Sequence, residues 1–293
     1  MDKYTELIKK AYANYWNYLK QSVFFEIHWE NYFYGLIIIS LLVWALELLF
    51  PWRKNQQAFR KDFWLDTFYM FFNFFLLNLI VLAALSDTAS QLINDLLKLI
   101  GLSISDFKLF DINSLPYLLK LFIFFICIDF VQWFTHVMLH RLDFLWNFHK
   151  VHHSVKQMGF AAHFRYHWME PVVYNSMKYI PLAIMGGFTV QDVAIVHFFN
   201  IAVGHLNHAN INLDYGFLKY ILNNPKMHIW HHAKQLPSNR KYGVNFGITL
   251  SLWDYIFKTN YMPYNGRDIE LGFEDDDKFP KNFIRQELYP LKK

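Results

Sequence analysis

Three stretches of the chain approach or reach the length of a bilayer-crossing helix. Positions 33–50 form an apolar run broken only by Glu47 near its end. Positions 63–85 carry Asp66 near their start, and positions 115–139 carry Lys120 and Asp129. A helical span needs about 20 mostly apolar residues, so each stretch is expected to cross a membrane. A fourth apolar zone, 171–203, is interrupted by Gly186 and Gly187. Each half holds about 15 residues, short for a full span. A helical hairpin that enters the bilayer and returns is the expected form, and two full tilted spans would give the same topology. A single span would put the histidines before 171 and after 204 on opposite faces, where they could not share a site. The opening MDKYTELIKKAYANYW has no apolar h-region and no small-residue cleavage pattern. It reads as an amphipathic or peripheral helix within 1–31 rather than a signal peptide.

Charge orients this arrangement. The loop 51–62 holds Arg53, Lys54, Arg60 and Lys61, whereas 86–114 sets Asp87, Asp95, Asp106 and Asp111 against Lys98 and Lys108. By the positive-inside rule the first loop is cytoplasmic and the second is not. The third span then delivers His136 and everything after it to the cytoplasmic side. The first 30 residues balance four Lys against four acids and do not vote. Composition agrees: 54% of residues are hydrophobic and 18% charged, against about 25% charged in soluble domains. The net charge of +4 is spread along the chain, so nucleic-acid binding has no support. One cysteine, Cys127, excludes an internal disulfide framework and a cysteine-based metal site.

Histidine is the outlier. All but one of the 14 lie between His136 and His232, in clusters. His136 and His140 form H-x-x-x-H at the end of the third span. His149, His152 and His153 form H-x-x-H-H, and His228, His231 and His232 form a second copy. His205 and His208 lie in GHLNHAN. Residues three and four apart share a helix face, so each cluster is expected to aim its imidazoles at one point. Neutral imidazole suits iron, zinc, copper or nickel, and these ten histidines exceed the capacity of one metal ion. Two ions are the natural count. His163 and His167 repeat the i, i+4 spacing in HFRYH, with His167 a candidate for the ligand set or a substrate pocket. Asp129, two turns before His136, is placed to accept the outer N–H of a ligand and fix its tautomer. Glu170, Asn207 and Asn210 are supporting candidates of the same kind. His28 and His197 stand alone and read as structural; Glu47 and Asp66 read as interfacial.

HVMLH at 136–140, HKVHH at 149–153, NHAN at 207–210 and HIWHH at 228–232 resemble the fatty acid hydroxylase / sterol desaturase superfamily of integral-membrane di-iron enzymes. RYHWMEP at 165–171 resembles its R-x-H-P-x-E element, with Trp168 in place of the proline. NFGITLSLWDYIF at 245–257 resembles its segment after the last box. The resemblance implies an O2-dependent reaction at an unactivated C–H bond of a fatty acyl, sterol, ether lipid or carotenoid type of substrate. Two iron ions, for which zinc can substitute, would supply the oxidant. Oxygen insertion gives an alcohol and loss of a second hydrogen gives an alkene; hydroxylation is favoured because most of the resembling families insert oxygen. No dinucleotide, P-loop, flavin or haem motif is present, so electrons are expected from a separate ferredoxin or cytochrome.

Other classes fit less well. A zinc hydrolase would need H-E-x-x-H, which is absent. A metal transporter or other non-catalytic metal-binding protein would place its ligands near mid-membrane in several helices, whereas these boxes gather at one end. The expected protein is an all-α, polytopic membrane helix bundle with a cytoplasmic, histidine-rich di-metal cap, in a bacterial inner membrane or the endoplasmic reticulum. Its expected segments are 1–31, a peripheral helix; 32–114, the first two spans; 115–265, the catalytic domain; and 266–293, a polar tail.

Overall fold

The computed structural model describes residues 2–29, 31–110 and 112–292; Asp111, one of the acids counted above, lies outside them. The described residues are helical, with no strand and only isolated bridges, such as Pro51 with Ile211 and Ala233 with Leu271. Three helices are long and apolar enough to cross a membrane: Tyr32–Leu49, Phe63–Leu99 and Tyr117–Arg141.

Helix α1 (Asp2–Phe24) leads to α2 (Tyr32–Leu49) through a corner built by Asn31. The Asn31 amide N–H donates to the carbonyls of Ser22 and Glu26 while its Oδ1 accepts from Phe33 N, so one side chain caps α2 and holds the end of α1. Helix α3 (Phe63–Phe71) runs through π-helical turns at 72–76 and 78–82 into α4 (Ala83–Leu99) without a break. The helix thus continues past residue 85 into the acidic stretch that the charge pattern marks as a loop. Packing against α1 accounts for it: Asp95 takes the Lys3 ammonium at 2.5 Å and the Tyr4 hydroxyl at 2.9 Å. A tertiary contact thus takes up the charge of Asp95, and the helix ends at Leu99.

The third long helix, α5 (Tyr117–Arg141), turns sharply at Leu142 into α6 (Asp143–His153). Helices α7 (Met169–Met185) and α8 (Val190–His208) form the hairpin. Gly186 and Gly187 sit at φ +62° and +72° at its tip, a region that residues with a Cβ avoid. Beside the tip, Lys120 on α5 pairs with Asp192 on α8 at 3.0 Å. Beyond the hairpin, α9 (Pro225–His231) is a capped helix of about two turns; Asn224 Oδ1 accepts from Met227 N and Pro225 opens the helix. Two short helices follow, α10 (Leu252–Ile256) and α11 (Phe283–Leu288).

Glu47 and Asp66 are not interfacial. Glu47 is buried and accepts from the backbone N–H groups of Phe160 and Asn210. Asp66 is fully buried between Arg60, at 2.6 Å, and Arg165, at 3.0 Å. Carboxyl groups near span ends can be buried when the protein supplies donors to them, which a linear pattern does not reveal. The end of the chain folds back as well: Tyr69 donates to Gln286 Oε1 and His167 donates to the Glu287 carbonyl.

Candidate metal centre

Nine buried or half-buried histidines converge where α5, α6, α8 and α9 meet. They form two groups, within each of which the ring nitrogens lie within 4.8 Å of one another. One group is His136, His140, His149, His153 and His231. The other is His152, His208, His228 and His232. The i, i+4 pairs stay together in one group, and the third member of each H-x-x-H-H box goes to the other. The boxes therefore do not aim all their rings at one point. A step of three residues turns by −60° and a step of four by +40° at 3.6 residues per turn, so the middle and last histidines diverge by about 100°. Each box feeds both groups and holds them side by side.

Hydrogen bonds on the outer nitrogens fix which nitrogen faces inward. His136 Nδ1 donates to the Phe246 carbonyl at 2.7 Å and His231 Nδ1 to the Val244 carbonyl at 2.8 Å. His152 Nδ1 donates to the Arg165 carbonyl at 3.1 Å and His208 Nδ1 to the Gly204 carbonyl at 2.7 Å. A carbonyl only accepts, so in the neutral ring each Nδ1 carries the proton and each Nε2 presents a bare lone pair. His149 Nδ1 faces Glu170 Oε2 at 3.0 Å in the same sense. The Nε2 atoms then face one another without a proton between them: His152 and His208 at 3.4 Å is the clearest pair. His136 and His149 stand at 3.1 Å in the same way, whereas Nδ1 of His228 and of His232 is buried without a partner and nothing on the outside fixes those two tautomers. Burial and the neighbouring rings hold His149, His152, His153, His208, His228, His231 and His232 well below the ordinary imidazole value. They are neutral, the form that binds metal. Converging lone pairs on neutral rings repel unless a cation sits among them, so the donor set fits two metal ions.

The other candidates fall into place around this core. Glu170 touches His149 directly. Asp129 does not touch a histidine; it accepts from Trp253 Nε1 at 2.9 Å, and the Phe246 carbonyl takes the outer N–H of His136 instead. Asn207 donates to the Ile248 carbonyl, and its buried Oδ1 has no partner. Asn210 pins the 51–53 loop through both backbone groups of Arg53. His167 accepts from Met169 N at Nδ1 and donates from Nε2 to the Glu287 carbonyl, away from the two groups. His205 lies outside both groups, with Nε2 3.0 Å from Ser40 Oγ and Nδ1 2.9 Å from His163 Nδ1.

Asp254 is the supporting residue that the sequence did not mark for this role. Its carboxylate accepts from Phe246 N, Gly247 N, Trp133 Nε1 and Thr259 Oγ1. It thereby sets the strand of chain whose carbonyls orient His136 and His231. The segment around Trp253 and Asp254 stood out as a flank of the last box, but backbone carbonyl acceptors have no side-chain signature. A cavity of about 90 Å³ adjoins both groups, lined by His136 and His149 of the first and His152, His208 and His228 of the second.

Residues 121–259 match the fatty acid hydroxylase family. The chain is similar to the ornithine lipid hydroxylase of Rhizobium tropici, 27% identical over 163 residues, which is 56% of this chain and 47% of that protein. It is also similar to human alkylglycerol monooxygenase, 31% identical over 137 residues, and to that of Xenopus tropicalis, 28% identical over 138; each match covers 46% of this chain and 29% of the relative. The chain thus spans less than half the length of these curated relatives. No solved structure matches it.

Proposed function

We propose that the protein, whose residues 121–259 match the fatty acid hydroxylase family, is a membrane-bound oxidoreductase that uses O2 to hydroxylate an unactivated C–H bond of a lipid. Two bound iron ions would supply oxygen activation and hydrogen abstraction. His136, His140, His149, His153 and His231 would hold one ion, and His152, His208, His228 and His232 the other. His205 stays out of the ligand set in this reading, since Ser40 and His163 engage both of its nitrogens. The chain's own part is to keep protons on the outer nitrogens through Glu170 and the four carbonyls, and to keep bulk water from the inner ones. A separate electron donor would deliver reducing equivalents on the cytoplasmic face.

The observation that carries this reading is the meeting of unprotonated nitrogens at His152 and His208. The relatives add support from outside, since those compared are lipid hydroxylases or monooxygenases. The test compares membrane lipids by mass spectrometry from cells expressing the intact protein and His231→Ala, grown in air, with metal analysis of both proteins. A lipid gaining one oxygen only with the intact protein, together with bound iron, is expected. Loss of two hydrogens instead would assign desaturation. Equal iron and equal lipid profiles in the two would overturn the reading.

A further inference from the structure

A second, larger cavity of about 640 Å³ meets the first at His163, Tyr166, Glu170, Tyr174 and Ile248. It runs away from the histidines along the hairpin, past the π-helical turns, to the tyrosines of α1. The wall is not simply apolar. Lys178, on α7, is the one ammonium among its described lining residues and Glu170 the one carboxylate. Glu170 is committed to His149. Lys178 forms no ion pair and no hydrogen bond among the described residues; its ammonium lies 5.9 Å from the centre of the Tyr174 ring. Asp129 forms no ion pair with it: Trp253 holds Asp129 Oδ2, and Asp129 Oδ1 is buried without a partner. Two buried amides of the wall also have an unused atom. Gln132 Nε2 lacks an acceptor, and Asn73 Oδ1 lacks a donor although its amide N–H groups bond the Phe164 and Tyr166 carbonyls. Gln132 is 6% exposed and Asn73 3%.

A half-buried cation without a counter-charge in a largely aromatic and apolar wall is costly. Burying an anionic group of a ligand would give Lys178 its missing partner. Lys178 follows Glu170 by eight residues, about 12 Å along the helix axis. A lipid whose anion rests on Lys178 would therefore present to the histidine end a carbon well along its chain, not one next to the anion.

Resting on the lipid-oxygenase reading above, we propose that this cavity is the substrate subsite and that it selects an amphiphile with a carboxylate or phosphate group. Lys178 binds the anion. Lys178 is a specificity-determining residue.

The test is equilibrium binding to the full-length, metal-loaded protein in lipid nanodiscs. The probes are a fluorescent long-chain fatty acid, the alkyl phosphate of equal length and the matching fatty alcohol. At least one anion should bind about tenfold or more tightly than the alcohol, the size of a charge-assisted hydrogen bond. Which anion it is distinguishes carboxylate from phosphate. Lys178→Met should erase that preference and leave alcohol affinity unchanged, while Lys178→Arg keeps it. Equal affinity for all three probes in the wild type, or a preference that survives Lys178→Met, would overturn the proposal. Binding is read without turnover. His231→Ala, which tests the oxygenase reading, should therefore keep the anion preference, and the two ideas can fail separately.

Discussion

Two buried polar regions lie back to back in this protein, and they differ in how complete they are. One is the ion cluster of Arg60, Asp62, Asp66 and Arg165. Two cations meet two carboxylates, with Arg60 to Asp66 at 2.6 Å and Arg165 to Asp66 and Asp62 at 3.0 and 3.3 Å. The other is the histidine centre, where carbonyls pair the outer nitrogens of four rings and His152 and His208 oppose lone pair to lone pair on the inside. The first region is balanced in charge by the chain alone, although Arg165 Nε has no acceptor. The second is balanced only when something positive is added. Incompleteness at the centre of an otherwise well-satisfied region separates a binding site from a structural polar cluster. The two regions touch through Arg165, whose guanidinium belongs to the ion cluster and whose carbonyl orients His152.

The comparison breaks most visibly at Asp66. Asp66→Asn leaves two buried guanidinium groups with half their counter-charge, and removing one partner of a buried pair costs about 3–5 kcal/mol. Thermal melting of the purified protein in detergent should fall accordingly, with or without added metal. A melting point unchanged by the substitution would mean that water reaches the cluster and that it is not the closed structural unit described here.

His167 tests the same distinction by pH. It is a completed histidine, with both nitrogens paired to protein, and burial lowers it to about 4. The unfolded chain, at about 6.5, takes up the proton first. Stability is therefore undiminished by this residue above about pH 6.5 and falls progressively toward pH 4, by up to about 3 kcal/mol. His167→Gln removes the titrating group, so melting temperature plotted against pH between 6.5 and 4 should decline less steeply than in the wild type. Parallel curves would show that the imidazole is not held neutral by the fold.

Much of this arrangement was legible in the residue pattern because it rests on periodicity. The apolar runs mark the three long helices, and the glycine pair marks the hairpin tip. The i, i+4 histidines mark rings that share a group. What escaped depends on contacts between distant segments. The stretch after residue 85 looks like a polar loop until α1 lies on it and Lys3 meets Asp95. Glu47 and Asp66 look interfacial until donors from 160, 165 and 210 reach them. Asp129 stands on a suitable helical turn below His136, yet the Phe246 carbonyl arrives from 110 residues away to take that hydrogen bond. Helical spacing predicts which side chains share a face, not which partner reaches that face first.

Glu170 gives the finest version of the contrast, because it is a buried carboxylate like Asp66 but belongs to the incomplete region. Its Oε2 holds the outer nitrogen of His149, and its Oε1 has no partner. Glu170→Gln keeps the size and an accepting oxygen but removes the carboxyl group that holds the outer nitrogen of His149. Loss of such an outer partner typically weakens metal binding 10–100-fold. Chelator titration with iron readout should show a weakening in that range, with melting of the metal-free protein little changed. Asp66→Asn should give the reverse, a lowered melting point without a comparable change in metal affinity among molecules still folded. If Glu170→Gln instead lowers the metal-free melting point as much as Asp66→Asn does, Glu170 is a structural carboxylate, and the boundary between the two regions must be drawn on the other side of His149.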